Sequence, residues 1–236
     1  MPSIEETIAA RVEANADRIV KTLSDLVAFP SIVKSNPKDA GPGERDCQLY
    51  LQKRLETLGF TTDLWDPDGP ALYEKYKGRA GANKGRTFEG RPNLGGTLKG
   101  TGGGRSIMLT GHIDVVPPGA AEHWTTDPFE PVLKDGFLHG RGTVDMKGGV
   151  ACMLMAVEIL KELDIPLSGD VVFTTFVDEG NRRSGVAGHG RSRLPCRCQH
   201  HDRADRQQIA PLCHRILWGK IIIDGIGGHA ELTPNA

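Results

Sequence analysis

A histidine and an aspartate two residues apart, His112-Ile113-Asp114, follow a short apolar run and precede Val115-Val116-Pro117-Pro118-Gly119. On an extended segment, residues i and i+2 point to the same side, so the imidazole can ligate a metal while the carboxylate supports it from behind. A second carboxylate, Asp145, lies in the glycine-flanked run His139-Gly140-Arg141-Gly142-Thr143-Val144-Asp145-Met146-Lys147-Gly148-Gly149, just before an apolar helix. An acidic pair, Asp178-Glu179, closes the run Asp170–Val177. Histidine and carboxylates together suit a divalent metal such as zinc, with cobalt or manganese as substitutes. A carboxylate able to bridge two ions, with a free glutamate nearby as general base, is apparatus for attacking an amide with activated water. Singly, each residue has an ordinary reading: a surface pair, a helix cap, an exposed acid. The joint pattern carries the chemistry.

The elements that must position these groups can be read in order. Ile8, Val12, Ile19, Leu23, Leu26 and Val27 recur at helical spacing, predicting one amphipathic helix or two abutting ones over residues 4–29, ended by Pro30. Residues 31–43 read as a polar turn region. A second helix over 44–58 carries Cys47, Leu51, Leu55 and Leu58 on one stripe, with Gly59 as its stop. Residues 60–65 read as a strand. Residues 67–91 read as a solvated, basic, loop-like insertion holding Lys75, Lys77, Arg79, Lys84, Arg86 and Arg91, without the glycine-lysine pattern of a phosphate loop. Strands follow at 93–99 and 106–111, a buried helix at 149–163 with its methionines as core filler, and a strand at 170–177. This alternation predicts an α/β domain, in which ligands sit beyond the carboxyl ends of the strands. His112/Asp114 and Asp178/Glu179 both fall at such ends.

Bulk properties narrow the class. The chain has 236 residues, 38% hydrophobic and 25% charged, with a net charge of −1, so nothing in the balance draws it to nucleic acid or an anionic membrane. No apolar run reaches the roughly 20 residues of a membrane span, and residues 1–10 carry acids rather than the apolar core of a secretory signal. Five cysteines at 47, 152, 196, 198 and 213 form no even framework, which points to a reducing, cytoplasmic setting.

The segments His112-Ile113-Asp114-Val115-Val116-Pro117, Trp124-x-x-Asp127-Pro128-Phe129, Gly140-Arg141-Gly142-x-x-Asp145-Met146-Lys147-Gly148-Gly149 and Val177-Asp178-Glu179 resemble the co-catalytic zinc deacylases. That family includes acetylornithine deacetylase, succinyl-diaminopimelate desuccinylase, aminoacylase and a glutamate-releasing carboxypeptidase. The resemblance covers residues 5–179 and is most specific over 107–179. It implies an α/β zinc-peptidase-like catalytic domain, with a mixed central sheet flanked by helices and an inserted α+β lid or dimerisation domain. The implied boundaries are 1–215 for the amino-terminal part of the catalytic domain and 216–236 for the start of the lid. His112 resembles the ligand of one zinc, Asp114 the acid that orients it, Asp145 the ligand bridging two zincs, and Glu179 the general base. His229, in Gly227-Gly228-His229-Ala230-Glu231, resembles the lid histidine that steadies the oxyanion, often across a homodimer. The implied substrate is a small N-acyl amino acid or short peptide. A di- or carboxypeptidase and a non-catalytic fragment are the alternatives.

The chain departs from the family where Asp-Glu-Glu is followed by a small or polar residue and two glycines; here the run is Asp178-Glu179-Gly180-Asn181-Arg182-Arg183. The missing second glutamate is a zinc ligand in the family. Residues 180–215 hold eight arginines, four of the eight histidines and three of the five cysteines, with no helical or strand period. A zinc or basic module built on Cys196, Cys198, His200, His201, Cys213 and His214 is one reading, but Cys-x-Cys is not the usual knuckle spacing. A disordered basic insertion is another. The favoured reading is a shifted reading frame. Codons GGA AAC CGG CGG for residues 180–183, read from the second base, give Glu-Thr-Gly-Gly. With codons freely chosen, the same offset can turn residues 202–205 into Thr-Glu-Pro-Thr, whose Glu-Pro-Thr is the family's next zinc-ligand motif. A compensating change near Arg215 precedes the strand-like run Ile216–Ile223. The chain ends at Ala236, ahead of the family's late histidine ligand, so weak or no zinc binding and no useful turnover are expected of it as written.

Overall fold

The computed structural model describes residues 2–33, 42–78, 84–179 and, for the backbone, 198–201. The amino-terminal helical region is two helices, α1 (Ile4–Ala14) and α2 (Ala16–Val27). A capping box starts α1: the Glu6 N–H donates to the Ser3 hydroxyl, and the Ser3 N–H donates to the Glu6 carboxylate. Asn15 breaks the two apart, donating its amide to the Arg11 carbonyl at 2.7 Å. Helix α3 (Gly43–Thr57) buries Cys47, Leu51 and Leu55, the stripe the spacing predicts.

Strands β1 (Thr61–Trp65), β2 (Asn93–Leu98), β3 (Ile107–His112), β6 (Val171–Phe176) and β7 (Cys198–His201) form one mixed sheet in the order β1-β2-β6-β3-β7. The β1–β2 and β2–β6 pairs are antiparallel; β6–β3 and β3–β7 are parallel. Parallel neighbours need a crossover, and α5 (Gly148–Glu162) provides it between β3 and β6. A two-stranded hairpin, β4 (Val132–Lys134) and β5 (Phe137–His139), stands outside the main sheet. The core gathers Leu26, Leu51, Leu55, Leu94, Ile113, Val150, Leu154 and Phe173, all buried from both the helical layer and the sheet. Met153 and Met155 are buried with them. Gly111 lets α5 lie close over β3: a Cβ there would stand 2.8 Å from Met146 Cε and 3.2 Å from Val150 Cγ2. Among the described residues no helix is long and apolar enough to cross a membrane.

Three segments differ from their sequence reading. The loop-like stretch after Pro67 contains helix α4 (Gly69–Tyr76), which Asp68 caps by accepting from the Ala71 N–H at 2.9 Å, with Pro70 in its first turn. The Gly-Pro pair that reads as a loop breaker is here a helix start. Nor is that stretch solvated throughout: Arg86 and Arg91 are buried in ion pairs. Residues 31–33 are not a free turn but run beside the segment after β3. The Val33 N–H donates to the Val115 carbonyl and the Val115 N–H to the Ser31 carbonyl, both at 2.9 Å. Strand β7 falls inside the window that shows no strand period. The rest of 180–215, the run 216–223 and the predicted start of the lid lie outside the described residues.

Candidate functional site

Strands β3 and β6 end together: His112 lies opposite Phe176, and the Ile113 N–H donates to the Phe176 carbonyl at 3.0 Å. The carboxyl ends of neighbouring parallel strands open a crevice where side chains from different segments can converge. The segment leaving β3 is held from the other side by the Ser31 hydroxyl, which donates to the Ile113 carbonyl at 2.6 Å. His112 and Asp114 are therefore placed by backbone ladders on both flanks.

His112 is buried, with Nδ1 2.9 Å from the Asp114 backbone carbonyl and 3.5 Å from its carboxylate. A carbonyl can only accept, so Nδ1 carries the proton and donates, and the Nε2 lone pair points away from Asp114. Nε2 lies 3.0 Å from Asp145 Oδ1. An imidazole lone pair and a carboxylate oxygen facing each other at that distance repel unless a positive charge sits between them. In the metal-free chain that charge is a proton. Burial by itself lowers the His112 pKa, but hydrogen bonds and Coulomb attraction from Asp114 and Asp145 outweigh it and hold the ring well above 6.5. A divalent cation meets the same demand, so the donor pair fits one. Among the described residues, no set of three or more His, Cys, Asp or Glu side chains converges to hold a metal, so these two supply part of a coordination shell.

Asp145 comes from a tight turn, Thr143–Lys147, in which it is extended (φ −121°, ψ 101°) and leaves its side chain 42% exposed. Lys147 pins this turn to the carboxyl end of α2, its buried ammonium donating to the Leu26 and Phe29 carbonyls at 2.8 and 2.7 Å. Burial lowers the Lys147 pKa. Glu179 is only partly buried; its N–H donates to Asp114 Oδ1 at 3.2 Å. Asp178 is fully buried and bound by Arg86 and Arg91. Burial pushes its carboxyl above the ordinary value, and the two guanidiniums offset only part of that rise.

The structure thus brings His112 and Asp145 together, sets Asp114 behind the histidine, and ties the Glu179 backbone to Asp114. His229 lies outside the described residues. Sequence reasoning missed Ser31, Lys147, Arg86 and Arg91. The one signal for the arginines was their setting, flanking Phe88 and running directly into Pro92 and strand β2. Lys147 had its place in the 140–149 motif as a signal, but nothing in the sequence gave it a partner.

Residues 108–200 match the model of peptidase family M20/M25/M40, the stretch that runs from β3 through the Asp145 turn and α5 to β7. Over that stretch the chain is similar to the M20/M25/M40 peptidases. Two curated relatives have the name N-formyl-4-amino-5-aminomethyl-2-methylpyrimidine deformylase. The one from Halalkalibacterium halodurans is 33% identical over 186 residues, covering 78% of this chain and 38% of the relative. The one from Bacillus subtilis is 30% identical over 182 residues, 76% of this chain and 37% of the relative. The chain spans well under half the length of either. Among solved structures, human carnosine dipeptidase 1 superposes with a TM-score of 0.60 at 24% identity, over 74% of this chain and 34% of that one, a likeness of fold. Aminopeptidase PepT from Bacillus cereus superposes with a TM-score of 0.53 at 26% identity, over 78% of this chain and 42% of that one. The mixed sheet with flanking helices is the M20 catalytic-domain architecture.

Proposed function

We propose that this chain carries the amino-terminal part of the catalytic apparatus of a metal-dependent amide hydrolase. The observation that carries the reading is the His112 Nε2–Asp145 Oδ1 pair, 3.0 Å apart where the turn before α5 meets the carboxyl end of β3. His112 and Asp145 would hold the metal, zinc by first choice with cobalt as substitute. Bound there, such a metal supplies Lewis acidity and lowers the pKa of water. Asp114 keeps the histidine in the tautomer that offers Nε2. Glu179 takes the proton from the attacking water and returns it to the leaving amine. His229 steadies the oxyanion.

The substrate is a small molecule with an acyl group on an amine. The deformylase name of the curated relatives supports removal of a short acyl group; acetylornithine- or succinyl-diaminopimelate-type deacylation is the first choice within that class. The dipeptidase and aminopeptidase names of the structural neighbours support a di- or carboxypeptidase as the second reading.

As written, the chain has Gly180 where the family resemblance calls for a ligating glutamate. We infer a shifted frame over 180–215, so the 236-residue product binds zinc weakly and turns over no amide. The test compares the chain as written with a chain in which the frame over those codons is restored. Bound zinc is measured by mass spectrometry, and hydrolysis on N-formyl, N-acetyl and dipeptide substrates. Weak binding as written and recovered binding on restoration is the expected result. Two tightly held zincs in the chain as written would sink the shifted-frame reading. No metal in either chain would sink the hydrolase reading.

A further inference from the structure

Three buried carboxylates crowd the ends of β3 and β6. Asp114 and Asp178 have no exposed surface and Glu44 almost none. They lie close enough that Asp114 raises the pKa of both others, although burial is the larger cause in each case. Uncompensated, such a cluster repels itself or takes up protons. Two buried guanidiniums offset it. Arg86 grips Asp178 with a two-point fork, Nε donating to Oδ2 at 3.1 Å and Nη2 to Oδ1. Arg91 bridges, Nε and Nη2 donating to the two Glu44 oxygens at 2.5 and 2.9 Å and Nη2 also to Asp178 Oδ1 at 3.3 Å.

What this holds is a backbone turn. Asp178 sits at φ +72°, the left-handed region that costs a non-glycine residue about 1 kcal/mol or more. That turn takes the chain out of a fully buried strand and aims the next N–H, that of Glu179, at Asp114 Oδ1. The same clamp is braced below by Asn93, whose Oδ1 accepts from the Val177 N–H at 3.1 Å. A run of contacts therefore connects Glu44, Arg91, Asp178, Glu179, Asp114, His112 and Asp145.

We propose that Arg86 and Arg91, backed by Glu44, are positioning residues: they lock Asp178 in its left-handed turn and thereby hold Glu179 against Asp114. The catalytic consequence rests on the reading of Glu179 as general base; the positioning itself does not. Lysine keeps the charge of arginine but not the planar fork, so Arg86→Lys removes the grip without stranding the carboxylates.

The experiment is site-resolved amide hydrogen exchange on the full 236-residue chain. In Arg86→Lys, protection of the Glu179 N–H falls by about tenfold or more, the amides of β6 staying near their original values. Asp178→Asn, which keeps an acceptor and loses the charge, gives the same local loss. Arg91→Lys gives a smaller one, since only its longer contact reaches Asp178. Unchanged Glu179 protection overturns the proposal, as does a loss matched by all of β6, which is general destabilisation. Failure of all three variants to fold also overturns it, making the group a folding element instead. In a frame-restored form that turns over substrate, Arg86→Lys lowers kcat by about tenfold at unchanged KM, the signature of a misplaced base, whereas a change in KM alone contradicts the proposal. The exchange readout needs neither metal nor substrate, so the clamp and the hydrolase reading stand or fall separately.

Discussion

Replacing Gly148 by alanine sets two effects against each other, and the structure decides between them. Gly148 opens α5 with ordinary helical angles (φ −58°, ψ −48°). Helix propensity alone favours alanine there by up to about 1 kcal/mol. A Cβ at this position would, however, stand 2.5 Å from the Thr143 carbonyl oxygen. An ordinary contact begins near 3.4 Å, so the turn over 143–147 must retreat by roughly 0.9 Å. The obstacle is backbone rather than a flexible side chain, and such overpacking costs about 1–3 kcal/mol. The expected net is a destabilisation of up to about 2 kcal/mol, read as a lower urea midpoint at unchanged slope. The same retreat carries Asp145 away from His112 and opens their 3.0 Å approach beyond hydrogen-bonding range. Zinc affinity of a metal-binding form should fall with it. A Gly148→Ala chain as stable as the parent, or more so, would refute the reasoning and show that propensity wins.

Two further outcomes are expected. Because the folded, metal-free chain holds the His112 proton more tightly than the unfolded chain, that stabilisation is fully present below pH 6.5 and is lost as the pH climbs through the raised folded value. Urea midpoints should therefore decline above pH 6.5 in the parent and less so in His112→Asn; parallel profiles would contradict the assigned contacts. Cys47 is fully buried with its thiol pushed up to about 11 by burial, whereas Cys152 is exposed. Iodoacetamide labelling with peptide mapping should modify Cys152 in the native chain and Cys47 only on unfolding, and rapid native labelling of Cys47 would show that α3 does not pack as described.

The elements whose burial is periodic were legible without coordinates. The α3 stripe of Cys47, Leu51 and Leu55 and the methionine-bearing α5 declare themselves because one repeating face must leave water, and β6 because its β-branched and aromatic residues suit a strand buried on both faces. The α4 helix was not legible, since its start is written in the same Gly-Pro punctuation that marks a loop, and only the Asp68 cap distinguishes the two. Residues 31–33 were misread for a related reason: Ser31-Ile32-Val33 is short and opens a polar stretch, and it becomes strand-like only because the segment after β3 offers it a ladder.

The sequence by itself determined which residue types could perform the chemistry. A histidine two positions from an aspartate, a carboxylate in a glycine-flanked turn and an acidic pair after an apolar strand are local patterns. Their meaning follows from side-chain chemistry and the period of a strand. Only the tertiary structure decided that β3 and β6 lie side by side in parallel, which turns separate strand ends into one crevice, and that the 143–147 turn, pinned by Lys147, sets Asp145 3.0 Å from His112. It alone decided the states of Arg86, Arg91 and Lys147, which as bare sequence are indistinguishable from solvated cations. The reason is that a charge is worth what surrounds it. Ion pairing at a sequence separation of 87 between Arg91 and Asp178, or capping at a separation of 121 between Leu26 and Lys147, exists only once the chain has folded.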